Sequence, residues 1–421
     1  MDILKNKFFY IPFIAIIIIA FIFLLAQIPM AKVEPKHLPI GIVNEDAGEM
    51  GGNIHSALLA NAPEQVKFIE YETTLKLIDA MNDKQVYGGL VIPTDFSGDL
   101  ASLQSLAPKH ATMKIYINEG YNSNVAMVLE TMLPAIVNNI SGNVADQMLS
   151  RMASMTPDLG ANIAEQMTGM MSSLQSLISQ SLKDPGALQQ MISERIGNLV
   201  KQLPNLNADH LKIMANPIQA EIIKVNTVGA LASVPAALFF TVWIASLLGA
   251  ILFYFAGNKM TFENRRKKYS FQAIQSILVI VYGLFSGYLI TLLSVWILGY
   301  EFVSVNAIAL ILSTGIFAFT YLMLASMAWL KLPVIIVYVL LMFFGLPLIQ
   351  LAPEMIPQFY QSYVLPWLPM RFLMESLKDV LYFAKGIMNI NTIILLAIAG
   401  MSLVILWIKN LIIKVEPVIT E

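Results

Sequence analysis

The stretch GNKMTFENRRKKYSFQ, residues 257–272, places four consecutive cations, Arg265, Arg266, Lys267 and Lys268, beside polar and aromatic residues. Such a run has two physical uses. It can fix membrane topology and touch anionic headgroups. It can also sit on a short cytoplasmic helix that docks on a partner protein, with NKMTFEN, residues 258–264, carrying the polar and aromatic residues for the contact. Topology alone would need only the charges. No GxxxxGK[ST] loop, GxSxG elbow or HExxH pair occurs, so the chain is not expected to hydrolyse ATP or to be an enzyme. No catalytic residue, cofactor or metal ligand is assigned. Four histidines, His37, His55, His110 and His210, lack ligand spacing. With no cysteine at all, a disulfide framework, a Cys-ligated zinc and a thiol nucleophile are excluded.

Two further constellations stand out. In LAPEMIPQFYQSYVLPWLPMRFLMESLKDVLYFAKGIMNI, residues 351–390, Phe372, Leu373, Ser376, Leu377, Val380 and Leu381 trace one helical face. Arg371, Glu375, Lys378 and Asp379 trace the other, while Trp367 and Tyr382 suit a membrane interface. This reads as a helix on the outer membrane surface, partly re-entrant, or as a plain connecting helix. In IGIVNEDAGEMGG, residues 40–52, Asn44 and Asp46 can hydrogen-bond locally and Gly48 permits a turn. That role is structural, not catalytic.

These residues need elements to carry them. Of 421 residues, 57% are hydrophobic and 13% charged, against roughly 45–50% and 25% in globular chains. The fold class is an α-helical polytopic membrane protein with six transmembrane helices. The spans are Phe8–Ile28, Val234–Phe255, Ala273–Leu298, Val305–Trp329, Leu332–Leu351 and Asn391–Leu411. The fourth and fifth form a tight hairpin at Lys331. The first, with its basic start and long apolar run, reads as an uncleaved anchor rather than a signal peptide. Basic residues then set the orientation. Lys5, Lys7, Lys259, Arg265–Lys268, Lys331, Lys409 and Lys414 all fall on one side. Both termini are therefore cytoplasmic in a bacterial cell membrane, and residues 30–232 are extracytoplasmic. The spans lack convincing buried charges, which disfavours ion-driven transport of a charged solute. An amphipathic or lipidic substrate, powered from elsewhere, remains compatible.

The domains follow. Residues 1–29 hold the tail and first span, 30–120 a small α/β domain, 121–232 a helical Met-rich segment, and 233–421 a five-helix membrane domain. That last domain carries a cytoplasmic loop, 257–272, and an outer amphipathic loop, 352–390. Strands are expected at Pro39–Asn44, Val66–Tyr71, Tyr87–Pro93 and Ala111–Asn118, with helices at Asn53–Leu59, Thr73–Asn82 and Phe96–Ser105. In the second helix Leu75, Ile78 and Met81, with Leu77, form the stripe, and Thr73 or Thr74 caps it. Residues 121–230 offer no convincing strand. Their methionines are either core filler or an adaptable apolar surface. Residues 30–230 carry 13 basic and 20 acidic side chains, a net of 13 − 20 = −7, so nucleic acid is not an expected partner.

One span, a large outer domain opening on Ile42-Val43-Asn44-Glu45-Asp46-Ala47-Gly48, and then five spans resemble the membrane subunit of type-2 ABC exporters. Tyr87-Gly88-Gly89-Leu90-Val91-Ile92-Pro93-Thr94-Asp95-Phe96-Ser97 and Leu368-Pro369-Met370-Arg371-Phe372 through Lys378 make the chain most similar to the YhgE/Pip (phage infection protein) branch. Residues 121–230 are much shorter than the coiled outer segment of full-length phage-infection proteins. The resemblance implies a homodimer or a heterodimer with a related permease, a separate ABC ATPase subunit, and surrounding membrane lipids. It assigns ATPase coupling to Lys259, Phe262, Glu263, Arg265, Arg266, Lys267, Lys268 and Tyr269, and an outer lid to Trp367, Arg371, Glu375 and Lys378. The implied function is export of a lipid, peptide or drug. The competing function is a non-transporting scaffold, either an accessory subunit of a type VII-like secretion system or a phage-receptor-like surface protein.

Overall fold

The computed structural model describes residues 35–103, 108–155, 168–169, 172, 208–260, 262 and 265–412. The expected first span, residues 156–167, 170–171 and 173–207 of the Met-rich segment, and Glu263 lie outside the described residues. The chain divides into two compact units.

The first unit, within 37–119 and 125–225, is a five-stranded sheet with helices on both faces. Its strands are β1 (Leu38–Asn44), β2 (Val66–Tyr71), β3 (Gly88–Ile92), β4 (Ala111–Asn118) and β5 (Ile218–Val225), in the order β2-β1-β3-β4-β5. All pairs are parallel except β3–β4. Helices α1 (Glu49–Ala60), α2 (Thr74–Asn82) and α3 (Phe96–Ser102) connect the first four strands. Helix α4 (Ser123–Met155) and the short α5 (Ala208–Ala215) precede β5. Adjacent residues of a strand face opposite ways, and β3 shows it. A Cβ on Gly89 would strike Leu77 of α2, and one on Gly88 would meet Leu129 of α4 at 3.0 Å.

Two expectations change here, and the choice of helix cap is decided. The α2 stripe is Leu77, Ala80 and Met81, all buried, while Leu75 is 74% exposed. Thr73 is the cap, its Oγ1 accepting from Lys76 N–H at 3.3 Å. Segment 121–230 does contain a strand, β5. Its IQAEIIKV pattern buries only its first residue, so no apolar run marks it. Ser141 of α4 sets where β5 begins, its hydroxyl accepting from Ile218 N–H at 3.0 Å and donating to Asn216 Oδ1 at 2.7 Å.

Helix α4 is long and apolar enough over Ser123–Met148 to count as a candidate span. Its Val125, Leu129, Leu133, Val137 and Val144 are buried at helical spacing, and the stripe accounts for that apolarity by packing on the sheet. Each such side chain contributes up to about 1.5–3 kcal/mol.

The second unit holds α6 (Val234–Asn258), α7 (Arg265–Leu298), α8 (Val305–Leu330), α9 (Val334–Gln350), α10 (Pro369–Leu381) and α11 (Ile390–Ile412), with the turn at 120–124. Helices α6, α7, α8 and α11 each contain a candidate membrane span. The 17-residue α9 is at the short end of what can cross. Lys331, at φ 61°, turns α8 into α9.

Helix α8 is the axis of this unit, packed by α6, α7, α10 and α11. Trp243 of α6 is fully buried against Phe319, with ring centroids 5.1 Å apart and edge-on, and its indole donates to the Tyr338 carbonyl at 3.3 Å. Offset aromatic pairs of this kind add about 0.5–1.5 kcal/mol beyond burial. The α7–α8 contact is closer still. Gly283 and Gly287 form a GxxxG pair, and a Cβ on Gly287 would lie 2.5 Å from Ser313 N and 2.8 Å from Ala309 O. Small residues four apart let helix backbones approach in lipid, where packing and not the hydrophobic effect joins helices.

Candidate functional site

The basic segment is not a separate short helix among the described residues. Helix α6 ends at Asn258 and α7 begins at Arg265, so the four cations form the first turn of a 34-residue helix. Cations there oppose the helix dipole, costing roughly 0.3–1 kcal/mol each at an exposed end. Helix stability therefore does not account for their presence. Arg265, Arg266 and Lys267 are exposed, but Lys268 and Tyr269 are half-buried. Phe262 packs on Phe271 with centroids 5.3 Å apart, and Tyr269 stacks on Trp407 of α11 at 6.5 Å.

Behind this face is a cavity of about 110 Å³, lined by residues from α6, α7, α8 and α11. Lys268 and Lys409 both line it. Lys409 donates to the carbonyl of Ala328, in the last turn of α8. Gln275 is fixed by donating to the Phe253 carbonyl at 2.8 Å.

The second constellation is α10 with its flanks. Trp367 is 83% exposed, in a 3-10 turn at Leu365–Trp367. The Arg371 guanidinium lies 5.5 Å from the Phe372 ring centre. Lys378 pairs with Glu375 at 2.9 Å and donates to the Tyr121 carbonyl at 3.2 Å. Asp379 departs from expectation: placed on the polar face by its spacing, it is 3% exposed. Its Oδ2 accepts from Asn391 at 3.0 Å, and the Lys385 ammonium lies 3.8 Å from Oδ1. Beside it Ser376 and Thr392 hydroxyls meet at 2.6 Å, and Asn389 Oδ1 accepts from Thr392 N–H at 3.0 Å as the cap of α11. Sequence reasoning missed Asn389, Asn391 and Thr392. The cap pattern Asn389-x-x-Thr392 immediately before an apolar run was the available signal. Tyr382 donates to the Leu231 carbonyl at 2.7 Å, and burial pushes its phenol above the usual range.

In the sheet unit, Asn44 Oδ1 accepts from Asp46 N–H at 3.1 Å. The Asp46 carboxylate accepts from the hydroxyl and the N–H of Ser97, at the start of α3, and Ser97 Oγ accepts from Gly51 N–H at 3.2 Å. Gly48 is at φ −80°, which any residue adopts. It is glycine for space, since a Cβ would lie 2.3 Å from Ser97.

Long apolar helices packed through glycine and aromatic contacts define a polytopic membrane protein. The family model for the ABC-2 family transporter protein matches residues 8–409, nearly the whole chain, and the chain belongs to that family. It is thus a multi-pass permease subunit of an ABC transporter, a class that associates with an ABC ATPase. No curated protein and no solved structure matches it.

Proposed function

We propose that this chain is the permease of an exporter in the YhgE/Pip-like branch. It moves a hydrophobic or amphipathic substrate outward as a dimer, driven by a separate ATPase. Both termini are cytoplasmic, and the sheet unit with α4 forms an extracytoplasmic domain inserted between the first and second of six spans. The observation that carries the reading is the exposed triplet Arg265, Arg266 and Lys267 at the wrong end of a helix dipole, in a chain of the ABC-2 family. Lys259, Phe262, Glu263 and Tyr269 complete an ATPase-docking surface, with Lys268 behind it. Trp367, Arg371, Glu375 and Lys378 belong to an outer lid over the pathway. The Asn44–Asp46–Gly48 turn holds the outer domain together and has no catalytic part.

Affinity purification from native membranes in mild detergent tests this. Stoichiometric recovery of a P-loop ATPase with ATP hydrolysis is expected. It should be lost in an Arg265→Glu/Arg266→Glu/Lys267→Glu variant that still inserts. Recovery of secretion components without such an ATPase would replace the exporter by the scaffold.

A further inference from the structure

We infer that the cavity at the basic end of the α6–α7–α8–α11 bundle binds the phosphate of an anionic phospholipid headgroup. The inference does not depend on ATPase docking. Lys268, Phe271 and Gln275 fall at i, i+3 and i+7 of α7, which places them on one helical face, and all three line the cavity. Three cations of the RRKK run point to solvent, and Lys268 is the one on the cavity side. Lys409 arrives from the last turn of α11, 141 positions later (409 − 268). Its ammonium meets the carbonyl of Ala328, three residues before Lys331.

Drawing like charges together raises their energy, more so beside low-dielectric walls. Phe253 and Tyr254 of α6, with Phe271, are such walls. An anion between the lysines reverses the sign of that energy. The aromatic lining then selects among anions. A free phosphate gains nothing from it, whereas a phosphodiester with glycerol and acyl chains covers it. The volume, about 110 Å³, is several times the roughly 10–15 Å³ that one water requires, enough for a tetrahedral headgroup. Basic pockets between transmembrane helices are a recurrent form of lipid recognition. Four helices meet here, so an occupant would tie their ends together.

The test is native mass spectrometry of the full-length, delipidated protein in neutral detergent with short-chain phosphatidylglycerol or phosphatidylcholine. One phosphatidylglycerol per chain should persist under activation that strips phosphatidylcholine. Lys268→Gln/Lys409→Gln should weaken it about thirtyfold. Lys268→Arg should retain it, and Arg265→Gln/Arg266→Gln/Lys267→Gln should change it little. Equal binding of the two lipids overturns the site. So does a triple exposed variant that loses as much as the double. Displacement of phosphatidylglycerol by excess inorganic phosphate overturns the lipid as occupant. If loss of the Lys409 cap on Ala328 prevents folding, Lys268→Gln, judged monodisperse by gel filtration, decides alone.

Discussion

Gly287 of α7 faces Ser313 of α8 so closely that a Cβ on the glycine would lie 2.2 Å from the serine hydroxyl. The Ser313 hydroxyl donates back to the Ala309 carbonyl at 2.7 Å within its own helix, and the Leu284 carbonyl of α7 lies across the contact as a second, longer partner at 3.4 Å. Any larger side chain at position 287 must push two backbones apart, because Ser313 N and Ala309 O stand behind the hydroxyl.

Gly287→Leu is therefore expected to cost about 1–3 kcal/mol or more and to lower the thermal midpoint in detergent. Ser313→Ala, which relieves the crowding but gives up the long bond to Leu284, should cost less, and Gly287→Ala should fall between Gly287→Leu and the parent. A Gly287→Leu variant with an unchanged midpoint would show that α7 and α8 are not packed this closely.

Asp46 and Ser97 are 51 positions apart, yet their contact joins the turn after β1 to the start of α3. Gly51, which also crowds Asp46, donates to the same serine. Asp46→Ala leaves a partly buried hydroxyl and N–H without their acceptor, a loss of about 1–3 kcal/mol. Amide exchange over α1 and α3 should accelerate by roughly five- to 150-fold, with the membrane helices unaffected. Exchange that speeds up equally everywhere would refute a local role. Asp46→Asn keeps one acceptor oxygen and should be milder.

Much of the sheet unit was legible because its first four strands are short apolar runs separated by turn residues, and each lies within a residue or so of where its run predicted. The strand β5 was not, because an edge strand with alternating half-exposed positions carries no core signature, and Gln219-Ala220-Glu221 suits a helix as well. Burial of Asp379 was equally hidden. Helical spacing assigns a residue to a face, but α10 is enclosed on both faces, so its polar face meets Asn391 and Lys385 instead of water. The GLFSG pair was legible in principle, since GxxxG in an apolar helix signals close approach. The convergence of Lys268 with Lys409 was not, because nothing local relates the first turn of α7 to the last of α11.

Lys224 of β5 lies 2.7 Å from Glu119, just after β4, and 2.6 Å from Glu130 of α4. Hydrogen bonds to these two carboxylates raise its ammonium above the ordinary 10.5. A raised folded-state value means that the stabilisation is complete below pH 10.5 and fades as pH climbs through the folded value. The side chain is 43% exposed, so solvent screens much of it, and Lys224→Gln should cost only about 0.2–1 kcal/mol. The difference between parent and variant in exchange over β5 should be constant from pH 8 to 10 and shrink above. A gap that instead widens with alkali would mean that the lysine is not held in its charged form.

Gln272 of α7 is 1% exposed, and neither its Nε2 nor its Oε1 meets a hydrogen-bond partner among the described residues. It lies one turn beyond Lys268. A buried amide without partners costs roughly 1–3 kcal/mol in protein contexts, and methionine matches its length without that cost. Gln272→Met should therefore raise the thermal midpoint of the detergent-solubilised protein. The same variant separates two explanations for a polar group left in an apolar helix. If ATP hydrolysis by the assembled transporter is unchanged, the amide is a tolerated defect. If the variant is more stable but hydrolysis falls, Gln272 finds its partner only in another state of the transport cycle, and stability has been given up for that exchange. A lower midpoint would show that the amide is already satisfied, and both explanations would then fail.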